Sequence, residues 1–574
     1  MIKNRTASWL KSGDENIFFW HHTPEKINKN AAIIIIGPIG PEYMSSHRSI
    51  RLLADSLSLL GFHSIRYDPI GMGNSSGKLD DPHIWKNWVE SPNILADHLQ
   101  KKFNINDIIL IGLRSGCLVL SEAQQRFSIK SAVFWYPLIS GTAFIRGIQL
   151  LDSVLYENKE KSNTLEGGGY PFTQELQNDI KKINIVAQNY NSLENALVIT
   201  SEISELNKLS DKMISSGIKT DLVNLNGLDD MLRQVTLSKI PFQNIKYIST
   251  WLEKSNKEQI KNLIECDEIR TNYHHSEFNE EVVSISSSQN IFGVLSTPII
   301  DDREKILVFI NTGASHHAGP NRIHIDVARM LAKQGISTLR IDLSNLGDSS
   351  ESYEIDPPEE YPATATDDIL LILTYLKTNL SNKQIVLCGI SAGAHNIFHA
   401  ALEPSCENLC NIILINPETF YWKPDQTIFS SGNPQTEINE IYYRKQIFNY
   451  KKWFALIINP TKIYRTLQFL ILLLIKKAKL FLLFALGALN IHIKSTLEND
   501  IIILANKDIG ITLIYSQGDP GYKILMSQAS RTIKNLANKN RYSSIQIPNA
   551  DHTFSSIKSR KNLYMAISDS INKM

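Results

Sequence analysis

The chain has 574 residues, of which 43% are hydrophobic and 20% charged, with a formal net charge of +1. That length points to about two to four domains rather than one. The composition excludes a disordered or fibrous chain, and the balanced charge gives no global field for nucleic acid, so nucleic acid is not an expected partner.

In chain order, AAIIIIGPIG, HSIRYDPIG, DIILIGLRSG, SAVFWYP, ALVITSE and TDLVNLNG are strand candidates of the first half. The charged, polar stretch EKSNKEQIKNLIECDEIRTNYHHSEF follows and reads as the end of one domain and a linker, placed at 257–279. The second half repeats the order with KILVFINTG, STLRIDLS, QIVLCGIS, NIILINPE, GITLIYSQG and SSIQIPN. Several of these are near-continuous Val/Ile/Leu runs, as strands covered by helices on both faces require. Amphipathic stretches such as HIDVARMLAKQG and ATDDILLILTYLKTNL lie between them. Strands alternating with helices predict an α/β chain with mostly parallel, doubly wound sheets.

The two halves are also alike in sequence. GFHSIRYDPIGMGNSS matches GISTLRIDLSNLGDSS, pairing Gly61 with Gly335, Arg66 with Arg340, Asp68 with Asp342, Gly73 with Gly347 and Ser75 with Ser349 at one offset. Upstream, Arg48 falls over Arg322 at that same offset. A constant offset across two segments implies two copies of one fold, expected at 1–256 and 280–574.

In the second copy the strand QIVLC runs into Gly389-Ile390-Ser391-Ala392-Gly393 and then a helical AHNIFHAAL. This is G-x-S-x-G between strand and helix, the setting in which a strained turn lifts a nucleophilic serine above the sheet. The N–H of Ala392 is then placed to stabilise an oxyanion, and a second donor is expected from the loop after KILVFIN, with Ala314 as the candidate. The triad order Ser, acid, His leaves His552, in IPNADHTFSS, as general base and Asp519, in the turn SQGDPG, as the acid that orients it. Asp551 is the competing acid, but it adjoins His552 and suits a loop-shaping role. His395 and His399 lie on the helix after Ser391 and are expected to pack. His316 and His317 lack partners at ligand spacing, so they read as lining the substrate mouth and no metal is expected.

The first copy offers Gly112-Leu113-Arg114-Ser115-Gly116 at the corresponding turn, with a permanently charged arginine in the nucleophile's place. It has no histidine from residue 99 to 273, and Leu228-Asp229-Asp230 stands where the second copy has Ala550-Asp551-His552. Glu202 and Glu205 give no clear counterpart of Asp519. This copy is expected to be catalytically silent. Arg114 binds an anion, pairs with Asp230, or is a structural residue of a retained scaffold; these alternatives stay open.

A long insertion, about 417–509, separates NIILINPE from GITLIYSQ and is the expected cap. Lys476, Lys477 and Lys479 split its apolar part into runs of about ten residues, against the roughly twenty needed to span a bilayer. Lid helices with an apolar underside are expected; the alternative is an amphipathic hairpin in peripheral contact with a membrane. Either favours a small-molecule or acylated substrate with an acyl or other apolar portion. The five cysteines are few and scattered, which fits a reducing compartment. The N-terminal MIKNRTASWLKSGDENIFF has no apolar core of a signal peptide, so the expected location is cytoplasmic, with peripheral attachment at the inner membrane as the variant the cap allows.

The segments GISAG, LRIDLSNLGDSS, SQGDPG and ADHTF resemble the α/β-hydrolase superfamily in its serine aminopeptidase-like branch. The first copy, through RYDPIGMGNSSG, GLRSG, GGGYPFTQEL and LDDML, is similar to exosortase-associated hydrolases. The resemblance implies an eight-stranded sheet, a helical cap after the sixth strand, and hydrolysis without metal or organic cofactor. A metal-independent serine hydrolase acting on an ester or thioester through an acyl-enzyme is therefore expected. Acyl transfer to a glycan or lipid acceptor by the same serine, and a non-catalytic binding protein, are the alternatives.

Overall fold

The protein is described from a computed structural model covering residues 5–25, 29–105, 107–155, 163–256, 258, 271–285, 291–300, 302–349, 355–406, 408–422 and 495–574. The chain forms two compact units, Met1–Thr364 and Ala365–Met574. Most of the expected cap, residues 423–494, lies outside the described residues. No described helix is long and apolar enough to cross a membrane.

The first unit contains an eight-stranded sheet. Its strands are β1 (Arg5–Ser12), β2 (Glu15–His22), β3 (Ala31–Ile36), β4 (His63–Tyr67), β5 (Asp107–Leu113), β6 (Ser131–Trp135), β9 (Asn195–Thr200) and β10 (Lys219–Asn224); β7 (Leu165–Gly167) and β8 (Tyr170–Phe172) form a separate hairpin. The order is β1-β2-β4-β3-β5-β6-β9-β10, with β2 antiparallel to both neighbours and β4 onward parallel. The apolar run of β3 shows why the strand sequences are continuous. Ala32, Ile34 and Ile36 point into one core cluster, while Ala31, Ile33 and Ile35 point into another. Both faces are covered, so alternation of polar and apolar residues is lost.

The first unit also holds β11 (Asn272–His274), β12 (Phe278–Ile285), β13 (Ile291–Pro298), β14 (Lys305–Ile310) and β15 (Ser337–Ile341), five further strands in the order β11-β12-β13-β15-β14. Here β12, β13, β15 and β14 repeat the pattern of β1, β2, β4 and β3: two antiparallel pairs, then a parallel one. The short β11 falls inside the stretch read as linker and pairs with β12. The second unit contributes β16 (Gln384–Ile390), β17 (Leu409–Ile415), β18 (Gly510–Ser516) and β19 (Tyr542–Ile547), all parallel. The chain thus carries large, mostly parallel sheets alternating with helices, the α/β class expected from the sequence. The antiparallel strands β1, β2, β12 and β13 had not been anticipated.

The matched segments fold alike. Ser75 Oγ accepts from Phe18 N–H (2.8 Å) and donates to Asp68 O; Ser349 Oγ accepts from Phe292 N–H (2.8 Å) and donates to Asp342 O. Asp68 accepts from Asn74 N–H (2.7 Å), and Asp342 from Asp348 N–H (2.8 Å). Gly73 and Gly347 have φ of 46° and 49°, and a Cβ there would sit 2.1 Å and 2.2 Å from those same aspartates. A carboxylate that ties the loop together leaves room only for glycine.

Within the first unit β1 and β2 meet the later strands through an aromatic cluster of Trp9, Phe18 and Trp20 with Tyr273, Phe278 and Phe292. Polar contacts flank it in a reciprocal fashion. Arg51 donates to the carbonyls of Gly347 and Ser349, and Arg322 to those of Gly73 and Ser75. Asp348 closes the set, accepting from Arg66 (2.5 Å) and Trp20 Nε1 (3.1 Å) with its side chain buried.

Candidate active site

The site residues of the second unit follow from three strand ends. β16 stops at Ile390, and Ser391 takes φ 56° and ψ −118°, a conformation that L-residues adopt only under constraint. Its backbone N–H is held by Ile415 O (2.9 Å), while its carbonyl accepts from Ala394 N–H (3.0 Å). A Cβ on Gly389 would lie 2.3 Å from the Gly393 carbonyl carbon, so a glycine is needed at 389 to let strand and helix pass this closely. Ala392 opens the helix Ala392–Leu402, whose first N–H groups lack intrahelical acceptors. Ala314 is buried in the loop after β14 and belongs to the first unit.

β18 ends at Ser516, and Asp519 caps the helix Pro520–Asn538, Oδ1 accepting from Gly521 N–H (2.9 Å). Its other oxygen, Oδ2, lies 3.4 Å from His552 Nδ1. This is ion-pair distance, longer than a good hydrogen bond, and such contacts tighten when substrate binds. His552 comes from the loop after β19. Asp551 does not compete for it; its carboxylate accepts from Ser555 N–H (2.6 Å) and shapes the loop. The structure therefore brings Asp519 and His552 together. Among the described residues Ser391 Oγ makes no hydrogen bond, to His552 or to any other group.

Two neighbours were not read from the sequence. Asn416, at φ 44° just past β17, accepts from Ser516 N–H (2.7 Å) and donates to His552 O (2.7 Å), so one buried amide ties the acid strand to the histidine loop. Glu418, two residues further, places Oε1 3.5 Å from His552 Nε2, both side chains being at most 10% exposed. Asn-Pro-Glu after a strand looks like the entrance to the cap, and only the fold brings it beside His552. Burial pushes the Glu418 carboxyl above its ordinary range, against the pull of His552. Burial pulls His552 down, but Asp519, Glu418 and Asp551 outweigh it and hold the imidazole above its ordinary value. The His395 and His399 rings pack 4.4 Å apart, tilted by 48°, and His399 Nε2 meets Phe420 O (2.8 Å), a packing role as expected.

The first unit has the same turn with other chemistry. Arg114 takes φ 54°, and its N–H is held by Trp135 O (3.0 Å). Its guanidinium pairs with Glu42 (3.1 Å), while Asp230 pairs with Arg233 (2.9 Å). The suggested Arg114–Asp230 pair is therefore replaced by a partner at the start of the helix Glu42–Leu59, which lies closer to the turn than the loop after β10 does. Ser115 Oγ accepts from Ile39 N–H (2.8 Å), so the backbone donor of the loop after β3 is occupied. His316 and His317 are both buried, and His317 is engaged by Asp342 (2.7 Å) and Asn74 (2.7 Å). His317, Asp342 and Asp348 are close enough to hold a metal ion, but Asp342 already accepts from Asn311, His317 and Asp348, and Asp348 from Arg66 and Trp20.

No family model and no curated relative matches the chain. Among solved structures it is similar to Est1E from Butyrivibrio proteoclasticus bound to ferulic acid (16% identity, 43% of this chain and 97% of that one, TM-score 0.32). It is also similar to an α/β serine hydrolase without lid from Xanthomonas campestris (12%, 52% and 96%, TM-score 0.29). A third is a dienelactone hydrolase from Anabaena variabilis (15%, 51% and 96%, TM-score 0.31).

Proposed function

We propose that the protein is a metal-independent serine hydrolase acting on a carboxylic ester or thioester, with its working site in the second of two copies that arose by duplication (1–256 and 280–574). The observation that carries this is Ser391 at positive φ on a strand-to-helix turn, in one unit with a partly buried His552 that faces Asp519. In this reading Ser391 Oγ attacks the acyl carbon and His552 takes its proton. Asp519 fixes the ring through Nδ1, and backbone N–H groups, with Ala392 the candidate of this unit, hold the oxyanion. His552 then returns the proton to the leaving alcohol or thiol, and water hydrolyses the acyl-enzyme. The first copy is non-catalytic, its nucleophile position filled by Arg114 and its backbone donor by Ser115.

The test is labelling by a fluorophosphonate on the wild type, Ser391→Ala and Ser115→Ala. Loss of label in Ser391→Ala alone is expected. An unlabelled, folded wild type ends this reading.

A further inference from the structure

The base of a serine hydrolase must offer a bare Nε2 to the serine hydroxyl. Here His552 Nδ1 faces Asp519 and Nε2 faces Glu418 Oε1 at 3.5 Å, whereas Ser391 Oγ has no hydrogen bond among the described residues. Neither Glu418 oxygen, nor His552 Nε2, has a hydrogen-bond partner among the described residues, and all three are buried. Two unprotonated acceptors placed face to face would repel. A ring nitrogen and a carboxylate at this separation attract only if one of them carries a proton.

Resting on the serine-hydrolase reading, we infer that Glu418 is a positioning residue whose carboxylate, facing His552 Nε2, favours a proton on that nitrogen and keeps it from Ser391 until the proton is given up. With the proton present, Nε2 is engaged by Glu418 and cannot accept from Ser391 Oγ. When water takes the proton, Glu418 is left as a carboxylate facing a lone pair, and the ring is free to turn Nε2 to the serine. No other bond is made or broken. The charged groups that act on His552 are Asp519 from the turn after β18, Glu418 from the segment after β17, and Asp551 from its own loop. All three favour the protonated ring, so the base is active only at higher pH than an isolated imidazole would be. Glu418 is the one of the three that sits on the nitrogen the reaction needs.

The sign follows. Removing the Glu418 charge lowers the affinity of the pair for the proton, so a working base persists to lower pH. The experiment measures the rate of fluorophosphonate labelling of Ser391 against pH in the wild type, Glu418→Gln and Glu418→Leu. The wild-type midpoint is expected above the ordinary imidazole value of about 6.5, and both variants are expected to lower it. A midpoint lowered by about one on the pH scale makes labelling about tenfold faster on the acid side. A midpoint unmoved or raised in both variants overturns the inference while leaving the hydrolase reading standing. If neither variant folds, the wild-type profile decides: a midpoint at or below about 6.5 overturns it. A wild type unlabelled at every pH removes both.

Discussion

The two strand-to-helix turns of this chain have one backbone and two chemistries. Arg114 and Ser391 share φ within a few degrees (54° and 56°), and each donates its N–H to the end of the next strand, at Trp135 O and Ile415 O. The residue after that strand end also repeats, with Tyr136 at φ 49° bonded to Ile199 O and Asn416 at φ 44° bonded to Ile514 O. The strained turn therefore does not by itself make a nucleophile. What differs is the company each keeps: the unit of Ser391 also holds the facing pair Asp519 and His552, whereas in the other Glu42 pairs with Arg114 and Ser115 accepts from Ile39 N–H.

The largest effect that can break this comparison is on activity. Ser391→Ala is expected to lower ester hydrolysis by at least about 1,000-fold, while Arg114→Ser should not create a labelled serine in the first copy. Recovered label at position 114 would show that the turn alone suffices. Next, Asp519→Asn should cost about 100-fold or more in kcat with little change in KM, because the ring loses its orienting partner. Kinetics on one ester substrate would check the split between the two constants.

Stability gives the middle range. In Gly389→Ala the new Cβ meets backbone at 2.3 Å, against 2.9 Å at Gly112, where the nearest atom is Cys117 Cα. Gly389→Ala should therefore destabilise by about 3 kcal/mol and Gly112→Ala by nearer 1, read from urea midpoints. Equal losses would mean the two turns are equally tight. At the small end, Arg114→Ala breaks a pair with Glu42 whose side chains are 20% and 26% exposed, so less than about 1 kcal/mol is expected. A larger loss would give Arg114 a structural weight that the partly exposed pair does not.

The first unit should also be distinctly acid-sensitive. Burial holds His63 at about 4 and His324 at about 3, well under the free imidazole value. Their folded forms stay neutral while the unfolded chain takes up protons below about 6.5, so their contribution is full above that pH and is lost as pH falls toward the folded values. Urea midpoints measured between pH 7 and 5 should decline; a flat profile would show that these rings are not held neutral.

Much of this was legible because the signals were local. β14 to β19 match apolar runs, and Ser391, Asp519 and His552 each follow one of them, so strand prediction placed the triad candidates at sheet ends. The repeated Asp-Gly-Ser loops were legible because a carboxylate, a positive φ and a hydroxyl all fix identity. Glu418 and Asn416 were not, since each gains its meaning from His552, far along the chain. Arg114 announced a silent turn but not its partner, because Glu42 lies 72 residues away. The antiparallel strands at the junction were missed for a related reason: Trp9, Trp20 and Phe292 bury against each other across the fold, which no local period records.

The arginines at that junction carry a consequence for how this chain can diverge. Arg51 and Arg322 reach main-chain carbonyls rather than side chains. A carbonyl is supplied by every residue type, yet the accepting carbonyls here belong to Gly73, Ser75, Gly347 and Ser349, whose identities the loop aspartates and hydroxyl bonds already fix. The arginines are fixed as well, because lysine cannot reproduce the planar fork. Both sides of this joint within the first unit should thus resist substitution, so that drift in sequence is expected to fall elsewhere in the chain.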